Sequence, residues 1–265
     1  MKLDFIDTHA HLYDLELKEQ ESWEMIVGRS KEQGVKRVYM PNLSVETLPR
    51  MMAMEQHFPD FCKSMMGLHP CEVDDDFEEK LATLSAMLGK HPFIAVGEMG
   101  LDLYHSTTHK QEQMIAFEVQ AGWARQHDLP LVIHCREAFD TLFTCLEKVQ
   151  DGTLRGVVHC FTGTLAQAKR CIAFGFHLGI GGIVTYKKAG LAEVVRDLPL
   201  EHLVLETDTP YLAPVPKRGK QNEPSFLPHI ATEVARLKGL SIEKVSAATT
   251  KNATRLFERN ETGSL

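Results

Sequence analysis

Short apolar runs alternate with amphipathic segments along the chain, and this alternation predicts its secondary structure. The apolar runs have the length of strands, and the segments between them have the apolar spacing of helices. The predicted strands are 3–8, 35–40, 62–67, 93–98, 131–134, 156–159, 176–180 and 203–206. The predicted helices are 18–33, 45–57, 77–89, 110–127, 136–149, 165–174, 191–197, 228–238 and 242–257.

Eight strands that alternate with helices predict parallel βαβ units. A chain of 265 residues has the usual size of a closed barrel of such units. We therefore predict an α/β fold, a (β/α)₈ TIM barrel, with an open doubly wound sheet as the alternative. No linker-like or low-complexity stretch divides the chain, so we expect a single hydrolase barrel domain over residues 1–265.

The first predicted strand leads into two histidines that are one residue apart, His9 and His11. Side chains on a strand alternate between its faces, so Asp7, His9 and His11 are expected to point to one side. Two neutral imidazoles on one face can hold a divalent cation between them. The pair alone is also compatible with a solvated face.

Four further predicted strands end at a residue that can bind a metal ion, or are followed by one within two residues. Catalytic residues of a (β/α)₈ barrel lie at the carboxyl ends of the strands, around one mouth. The six candidate ligands at this mouth are His9, His11, Glu98, His134, His159 and Asp208.

Six ligands exceed what one catalytic ion with an open coordination position needs. They suit two ions, about 3.5–4 Å apart, that hold a hydrolytic water and a leaving oxygen. Glu98 could supply one carboxylate oxygen to each ion. In this arrangement His9, His11 and Asp208 complete one site, and His134 with His159 the other.

The composition is typical of globular proteins, with 43% hydrophobic and 25% charged residues. We expect no membrane span, because no apolar run is long enough, and no secretory signal. The six cysteines are scattered without a CxxC motif, which predicts reduced thiols and a cytoplasmic location. We also expect no obligate protein partner.

The formal net charge of −7, from 29 basic and 36 acidic residues, excludes a protein that coats nucleic acid by long-range attraction. A polyanionic substrate remains compatible if metal ions and a local basic cluster supply positive charge. Lys217, Arg218 and Lys220 form such a cluster. They follow the last predicted strand, where barrels often bind phosphate.

Six short motifs together resemble the TatD family of metal-dependent deoxyribonucleases, which belongs to the amidohydrolase superfamily of barrels. The resemblance covers nearly the whole chain, and the motifs occur in the same order. They are DTHAH at 7–11, GLHP at 67–70, GEMGLD at 97–102, IHCR at 133–136, HCFTG at 159–163 and ETDTPYL at 206–212.

The resemblance implies hydrolysis that depends on divalent metal ions, with the six ligands named above. It also implies phosphodiester chemistry on DNA, often from a 3′ end, so single-stranded DNA ends are the expected substrate. Two divalent ions are the expected cofactors, and Mg, Mn and Zn are the candidates because mixed histidine and carboxylate ligation tolerates each of them.

Glu98 and Asp208 are the expected catalytic residues, with Asp208 accepting a proton from the activated water. Glu206, which precedes Asp208 by two residues, is expected to support a ligand from behind. Asp102 either orients a ligand histidine or caps the following helix.

His69 and Arg136 are the expected substrate-binding residues. The planar guanidinium of Arg136 suits phosphate recognition, with a salt bridge at the barrel rim as the alternative. For His69 the alternative is a structural role.

Two other function classes remain open from the sequence. A metal-dependent amidohydrolase that cleaves a small-molecule amide or ester needs the same activated water. A metal-stabilised binding protein without activity is the third class. Phosphate recognition by Arg136 and the basic loop favours the nuclease.

Overall fold

Eight parallel strands form the centre of the molecule in the computed structural model, which describes residues 3–258. The strands are β1 (Phe5–Asp7), β2 (Val35–Met40), β3 (Cys62–Ser64), β4 (Val96–Asp102), β5 (Leu131–Arg136), β6 (Gly156–Val158), β7 (Phe176–Ile180) and β8 (Leu203–Leu205). The helices are α1 (Trp23–Glu32), α2 (Leu48–His57), α3 (Phe77–Ser85), α4 (Lys110–His127), α5 (Phe139–Val149), α6 (Leu165–Ala173), α7 (Leu191–Asp197), α8 (Leu227–Lys238) and α9 (Ile242–Phe257).

The strands pair in chain order as two sheets, β1-β2-β3 and β4-β5-β6-β7-β8. Backbone contacts join the two sheets at both edges. Met66, just after β3, forms a parallel bridge with Val96 of β4. At the other edge the Thr8 amide donates to the Leu205 carbonyl at 3.1 Å. The ring therefore closes, and the predicted (β/α)₈ barrel is confirmed.

Two apolar layers surround the strands, as alternation along a strand requires. One layer lies between the strands and the helices. The other fills the barrel interior, where Leu256 and Phe257 of α9 pack against inward side chains. Those inward side chains are Ile6, Tyr39, Met65, Ala95, Val132, Val157 and Val204. These apolar side chains fill the barrel interior towards the amino ends of the strands. The polar side chains converge at the opposite, carboxyl ends.

Strand β4 differs from its prediction, because it runs from Val96 to Asp102 rather than over 93–98. The prediction that Glu98 ends this strand is therefore wrong. Val96 pairs with Leu131 and Met99 with Ile133, so β4 carries one extra residue here, a β-bulge. Pairing with β5 extends the strand beyond the apolar run on which the prediction rested.

Other boundaries moved by up to five residues. Helix α1 begins at Trp23 instead of residue 18, and α3 ends at Ser85 instead of residue 89. Strands β1, β3 and β8 end at Asp7, Ser64 and Leu205, earlier than predicted. Strand β5 continues to Arg136, so the next helix begins at Phe139 instead of residue 136.

Within residues 3–258, no helix is both long enough and apolar enough to cross a membrane. All six cysteines are free thiols. Residues 1–2 and 259–265 of the expected single domain lie outside the described residues, and the domain assignment stays a prediction.

Candidate metal centre

Glu98 lies between two pairs of imidazoles at the carboxyl ends of the strands. Its Oε2 is 3.1 Å from Nε2 of His9 and 3.3 Å from Nε2 of His11. Its Oε1 is 2.8 Å from Nε2 of His159 and 2.9 Å from Nδ1 of His134. The two oxygens of one carboxylate therefore face different pairs of histidine nitrogens.

Asp208 joins the Glu98 Oε2 side of this cluster. Its Oδ1 lies 3.8 Å from Nε2 of His9 and 3.7 Å from Nε2 of His11. Asp208 has a φ of 59°, a conformation that aspartate adopts more readily than most residues. Its amide donates to the His9 carbonyl at 2.9 Å. All six predicted ligands thus meet at one place.

The prediction that strand alternation points His9 and His11 to one side is wrong, because β1 ends at Asp7 and both histidines lie beyond it. Backbone hydrogen bonds to neighbouring strands position them instead. The amide of Ala10 donates to the Tyr39 carbonyl at 3.1 Å, and that of His11 to the Thr209 carbonyl at 2.7 Å. Barrel closure, rather than strand alternation, brings the two imidazoles together.

The donor atoms of this cluster fit divalent cations. His9 and His11 place their Nε2 atoms 3.2 Å apart, so at most one proton fits between them. Neutral imidazole nitrogens and carboxylate oxygens are the ligands that Zn, Mn and related ions accept. The donor groups that lie within 4.8 Å of one another are His9, His11 and Glu98; His9, His159 and Asp208; and His69, Glu98 and His134.

Burial and mutual charge set the protonation of the cluster. Burial raises the pKa of Asp208 to about 6. Burial also opposes the charged form of His159, but the Glu98 and Glu206 carboxylates outweigh it and raise its pKa well above the usual value. For Glu98, the nearby histidines outweigh burial and hold its pKa well below the usual range. The metal-free cluster therefore retains protons that a cation would displace.

His69 contacts Glu98 from the turn after β3. Its Nε2 is 3.3 Å from Oε1 of Glu98, and burial lowers its pKa. Its Nδ1 accepts the Cys71 amide at 3.1 Å. In the neutral ring the proton is then on Nε2 and points at Glu98. This geometry gives His69 the role of a donor to the carboxylate, and its contact with substrate stays a prediction.

Asp102 contacts His134 and does not cap α4, whose N-cap residue is His109. Its Oδ2 lies 2.9 Å from Nε2 of His134. This contact turns the Nδ1 atom of the same ring towards Glu98. Such carboxylate–histidine pairs fix the tautomer of a ligand and increase its basicity.

Glu206 lies buried behind His159. Its Oε1 is 3.5 Å from Nδ1 of His159 and accepts the backbone amide of Cys160. Gly179 makes room for it, because a Cβ at that position would lie 2.2 Å from Oε2 of Glu206. Glu206 thus touches a candidate ligand although β8 stops before it.

Sequence reasoning missed two residues that support the cluster. The hydroxyl of Tyr13 donates to the Pro41 carbonyl at 2.5 Å and lies 3.1 Å from Nδ1 of His11. It can therefore accept a hydrogen bond from the protonated Nδ1 of His11, which leaves Nε2 free for a cation. Asp7, which the sequence placed beside the two histidines without a role, accepts hydrogen bonds from the Thr207 hydroxyl at 2.6 Å and from the His9 amide at 3.3 Å. The signal for Tyr13 was its spacing of two residues from His11.

Arg136 stands exposed at the end of β5. Its guanidinium lies 3.9 Å from the centre of the Tyr104 ring, and Tyr104 is itself 55% exposed. Within residues 3–258 Arg136 forms no ion pair, so the alternative of a rim salt bridge is not observed. A planar cation on an aromatic ring remains open to an incoming anion.

The basic loop after β8 rests partly on aromatic rings. Lys217 lies 5.1 Å from the centre of the Phe226 ring, and Arg218 lies 4.5 Å from that of Tyr186. Tyr211 of the same loop is 53% exposed. Its ring centre is 6.3 Å from that of His11, so an exposed aromatic ring borders the metal centre.

Comparison with known proteins agrees with this site. The profile of the family described as TatD related DNase matches residues 6–258. An uncharacterized metal-dependent hydrolase of Bacillus subtilis, YabD, is 37% identical over 96% of this chain and 99% of its own length. The 3′-5′ ssDNA/RNA exonuclease TatD of Erwinia tasmaniensis is 33% identical over 88% of this chain and 92% of its own.

A solved structure of a TatD homologue has the same fold as this chain. The crystal structure of YjjV, a TatD homologue from Escherichia coli, superposes with a TM-score of 0.89 at 29% identity. The match covers 97% of this chain and 99% of the other. The chain is thus a metal-dependent hydrolase and belongs to the TatD family.

Proposed function

We propose that this enzyme removes nucleotides stepwise from the 3′ ends of single-stranded DNA by hydrolysis. The observation that carries the proposal is the Glu98 carboxylate, whose two oxygens face two separate pairs of imidazole nitrogens. This donor set suits a pair of cations, the arrangement that phosphodiester hydrolysis uses. The relative from Erwinia tasmaniensis bears the name of a single-strand exonuclease.

In this proposal His9, His11, Asp208 and Glu98 would hold one divalent cation. His134, His159 and Glu98 would hold the second. When bound, such a pair polarises a phosphoryl oxygen and activates water. Mg, Mn and Zn all suit this mixed ligand set.

The residues around the cations position them and move the proton. Asp208 would accept the proton of the attacking water, because its carboxylate lies beside the candidate cation site formed with His9 and His11. His69 donates to Glu98 and keeps that carboxylate ionised and oriented. Asp102 and Glu206 hold His134 and His159 from behind.

The substrate end is held by few groups. Arg136 offers a guanidinium plane that matches two phosphate oxygens. Tyr104 and Tyr211 present exposed rings on which bases can stack without sequence preference. Because the chain carries a net charge of −7, a long nucleic-acid track is disfavoured, and the enzyme engages only a terminus. The cytoplasmic location expected from the free cysteines is part of the same proposal.

The test is a comparison of end-labelled substrates with protein reloaded with Mn or Mg. We expect a ladder that shortens linear single-stranded DNA from its 3′ end, with a circular single strand resisting cleavage. Cutting the circle as fast as the linear strand would overturn the exonuclease proposal. Hydrolysis of small amides or esters, without any nuclease activity, would establish the amidohydrolase alternative instead.

Replacing Arg136 by Ala tests phosphate recognition in the same assay. We expect a raised KM with unchanged metal content, because Arg136 contacts none of the ligands. Arg236→Ala is the matched control, since Arg236 is an exposed arginine of α8 that pairs with Glu233. Equal kinetics of Arg136→Ala and the control would show that another group binds the phosphate.

A further inference from the structure

A second cluster of metal-binding side chains lies at the rim of the barrel, beside the metal centre. Asp102 ends β4, His105 follows it by three residues, and Cys71 lies in the turn after β3. Nδ1 of His105 is 2.9 Å from Oδ2 of Asp102 and 3.7 Å from Sγ of Cys71. All three donor atoms lie within 4.8 Å of one another. None of these residues is a candidate ligand of the catalytic centre.

The separations fit a tetrahedral ion. Zinc bonds of about 2.3 Å to sulfur and about 2.0 Å to nitrogen place these two atoms about 3.6 Å apart. Cys71 and His105 are already at 3.7 Å. His105 and Asp102 need to separate by only a few tenths of an ångström (~0.4 Å) to reach the same geometry.

The cluster is partly preorganised and open on one side. The Asp102 carboxylate is buried, and its Oδ1 accepts the amides of Tyr104 and His105 at 3.0 Å each. The His105 side chain is 55% exposed, and Cys71 is exposed as well. A cation can therefore enter from solvent, and water can complete its coordination.

The ligand chemistry selects a softer ion than the catalytic centre requires. A thiolate ligand favours zinc-class cations over Mg, which is a hard cation and avoids sulfur. We propose that Cys71, Asp102 and His105 form a separate rim site for one thiophilic divalent cation of the zinc class. Binding releases the Cys71 thiol proton to solvent. The His105 ring proton moves from Nδ1 to Nε2, so that Nδ1 bonds the ion and no second proton is released.

The rim site shares a carboxylate oxygen with the catalytic centre. Oδ2 of Asp102 contacts Nδ1 of His105 and Nε2 of His134, each at 2.9 Å. A cation on this oxygen weakens its hold on His134 and lowers the basicity of the opposite ring nitrogen. Occupation of the rim therefore slows turnover. This second step rests on the proposed function, whereas the site itself does not.

Cadmium titration tests the site without an activity measurement. Full-length protein is held in excess Mg²⁺, which does not bind thiolate, and Cd²⁺ is added while the ultraviolet thiolate-to-cadmium absorbance is recorded. We expect the absorbance to saturate at the amplitude of one thiolate-to-cadmium bond per chain. Cys71→Ser should abolish the absorbance, and His105→Ala should weaken cadmium affinity at least tenfold. His57→Ala, an exposed histidine of α2, is the matched control and should bind as wild type.

Two outcomes of the cadmium titration would contradict the rim site. Absence of the absorbance in the wild type would overturn the site. Full absorbance in Cys71→Ser would do so too, and it would assign the thiolate to another cysteine such as the partly exposed Cys160.

Zinc inhibition tests the coupling. With Mg²⁺ saturating, added Zn²⁺ should inhibit wild-type turnover and leave Cys71→Ser much less affected, while both have the same activity in Mg²⁺ alone. Equal zinc inhibition of the two proteins would overturn the coupling. If neither protein degrades nucleic acid, the proposed function fails, and the cadmium absorbance still decides the rim site.

Discussion

Among single residues, Glu98 makes the most contacts to the candidate ligands. It is buried, 2% exposed, and its oxygens touch both halves of the cluster. A buried carboxylate needs positive charge and hydrogen-bond donors around it. Its chemistry therefore depends on the cations and histidines, and the apolar core does not depend on it.

Glu98→Gln keeps the size of the side chain and removes the charge that both cations would share. We expect turnover to fall roughly 10³-fold or more, with an intact far-ultraviolet circular dichroism spectrum. The control is Glu55→Gln, because Glu55 is a buried glutamate 2.8 Å from His91 outside the metal centre. Activity near wild type in excess metal would refute the shared-ligand role of Glu98.

Asp208 makes metal uptake depend on pH. Burial raises its pKa to about 6 in the metal-free protein, so its protonated form competes with a cation below that pH. Charged His159, whose pKa is also raised, competes in the same direction. Metal affinity should therefore increase as pH rises through about 6.

Calorimetric titration of metal-free protein at several pH values measures this dependence. Asp208→Asn should bind more weakly at every pH and lose part of the slope around pH 6. An affinity that does not change between about pH 5 and 8, the range in which histidine titrates, would contradict the proton competition.

The six candidate ligands could be predicted because each is a polar residue that follows an apolar run. Tyr13 and Asp7 could not be assigned a role in this way. Their functions arise from contacts with Pro41 and Thr207, which lie far away along the chain. Likewise, the tautomer that makes His69 a donor depends on the Cys71 amide, which only the folded turn positions.

At the scale of elements, β4 illustrates what the apolar pattern predicts and what it leaves out. The apolar run before Gly97 predicted a strand, but the strand in the structure continues through Glu98 to Asp102. Polar residues interrupt the hydrophobic run in the sequence. The backbone of β4 nevertheless continues to pair with β5 as far as Asp102. The bulge between Val96 and Met99 cannot be predicted from alternation because it breaks alternation.

Strand β7 contributes no ligand, but its Gly179 makes space for Glu206. Gly179→Ala would place a Cβ 2.2 Å from the Glu206 carboxylate, so that carboxylate must move away from His159. We expect turnover to fall about 10–100-fold, as it does when a group supporting a metal ligand is disturbed. The readouts are turnover and metal affinity.

The control is Gly122→Ala in the middle of α4, where an added Cβ meets nothing within 4 Å. This change should leave turnover intact and stabilise the protein by about 0.5–1 kcal/mol, because alanine is the better helix former. Wild-type turnover of Gly179→Ala would show that Glu206 is not needed to position His159.

For the whole molecule, the closed ring determines what the eight strands can do together. Strand order and parallel direction followed from the alternation of apolar runs and helices. Closure of the ring depends on isolated backbone bridges, such as that between Met66 and Val96. No pattern in the sequence predicts these bridges. The closed ring brings ligands that lie on, or just beyond, five separate strands into one cluster.

That convergence predicts two metal equivalents per chain. Elemental analysis of protein saturated with Mn or Zn should approach two equivalents, plus one for zinc if the rim site fills. The variant with His134 and His159 both replaced by Ala should lose one Mn equivalent, since His9, His11 and Asp208 remain. A wild-type Mn value of one that this double change leaves unaltered would exclude the pair.

The charge of the whole molecule limits how it holds nucleic acid. With 36 acidic and 29 basic residues, the surface repels a polyanion except where Arg136, the basic loop and the cations offset that repulsion. Each neutralised phosphate of a single strand contributes about −0.7 to the slope of log affinity against log salt. Two or three contacts therefore give a slope of about −1.4 to −2.1. Fluorescence anisotropy with a labelled oligonucleotide and the Asp208→Asn variant, chosen to suppress turnover, measures it.

Arg136→Ala in that background should make the slope shallower by about 0.7, the share of one phosphate contact. Arg236→Ala should leave it unchanged. A slope steeper than about −4 would require a track of six or more phosphates, which a net acidic surface with a few cations at one mouth does not provide. Such a result would place binding along the strand rather than at its end, and the preference for termini would then need another cause.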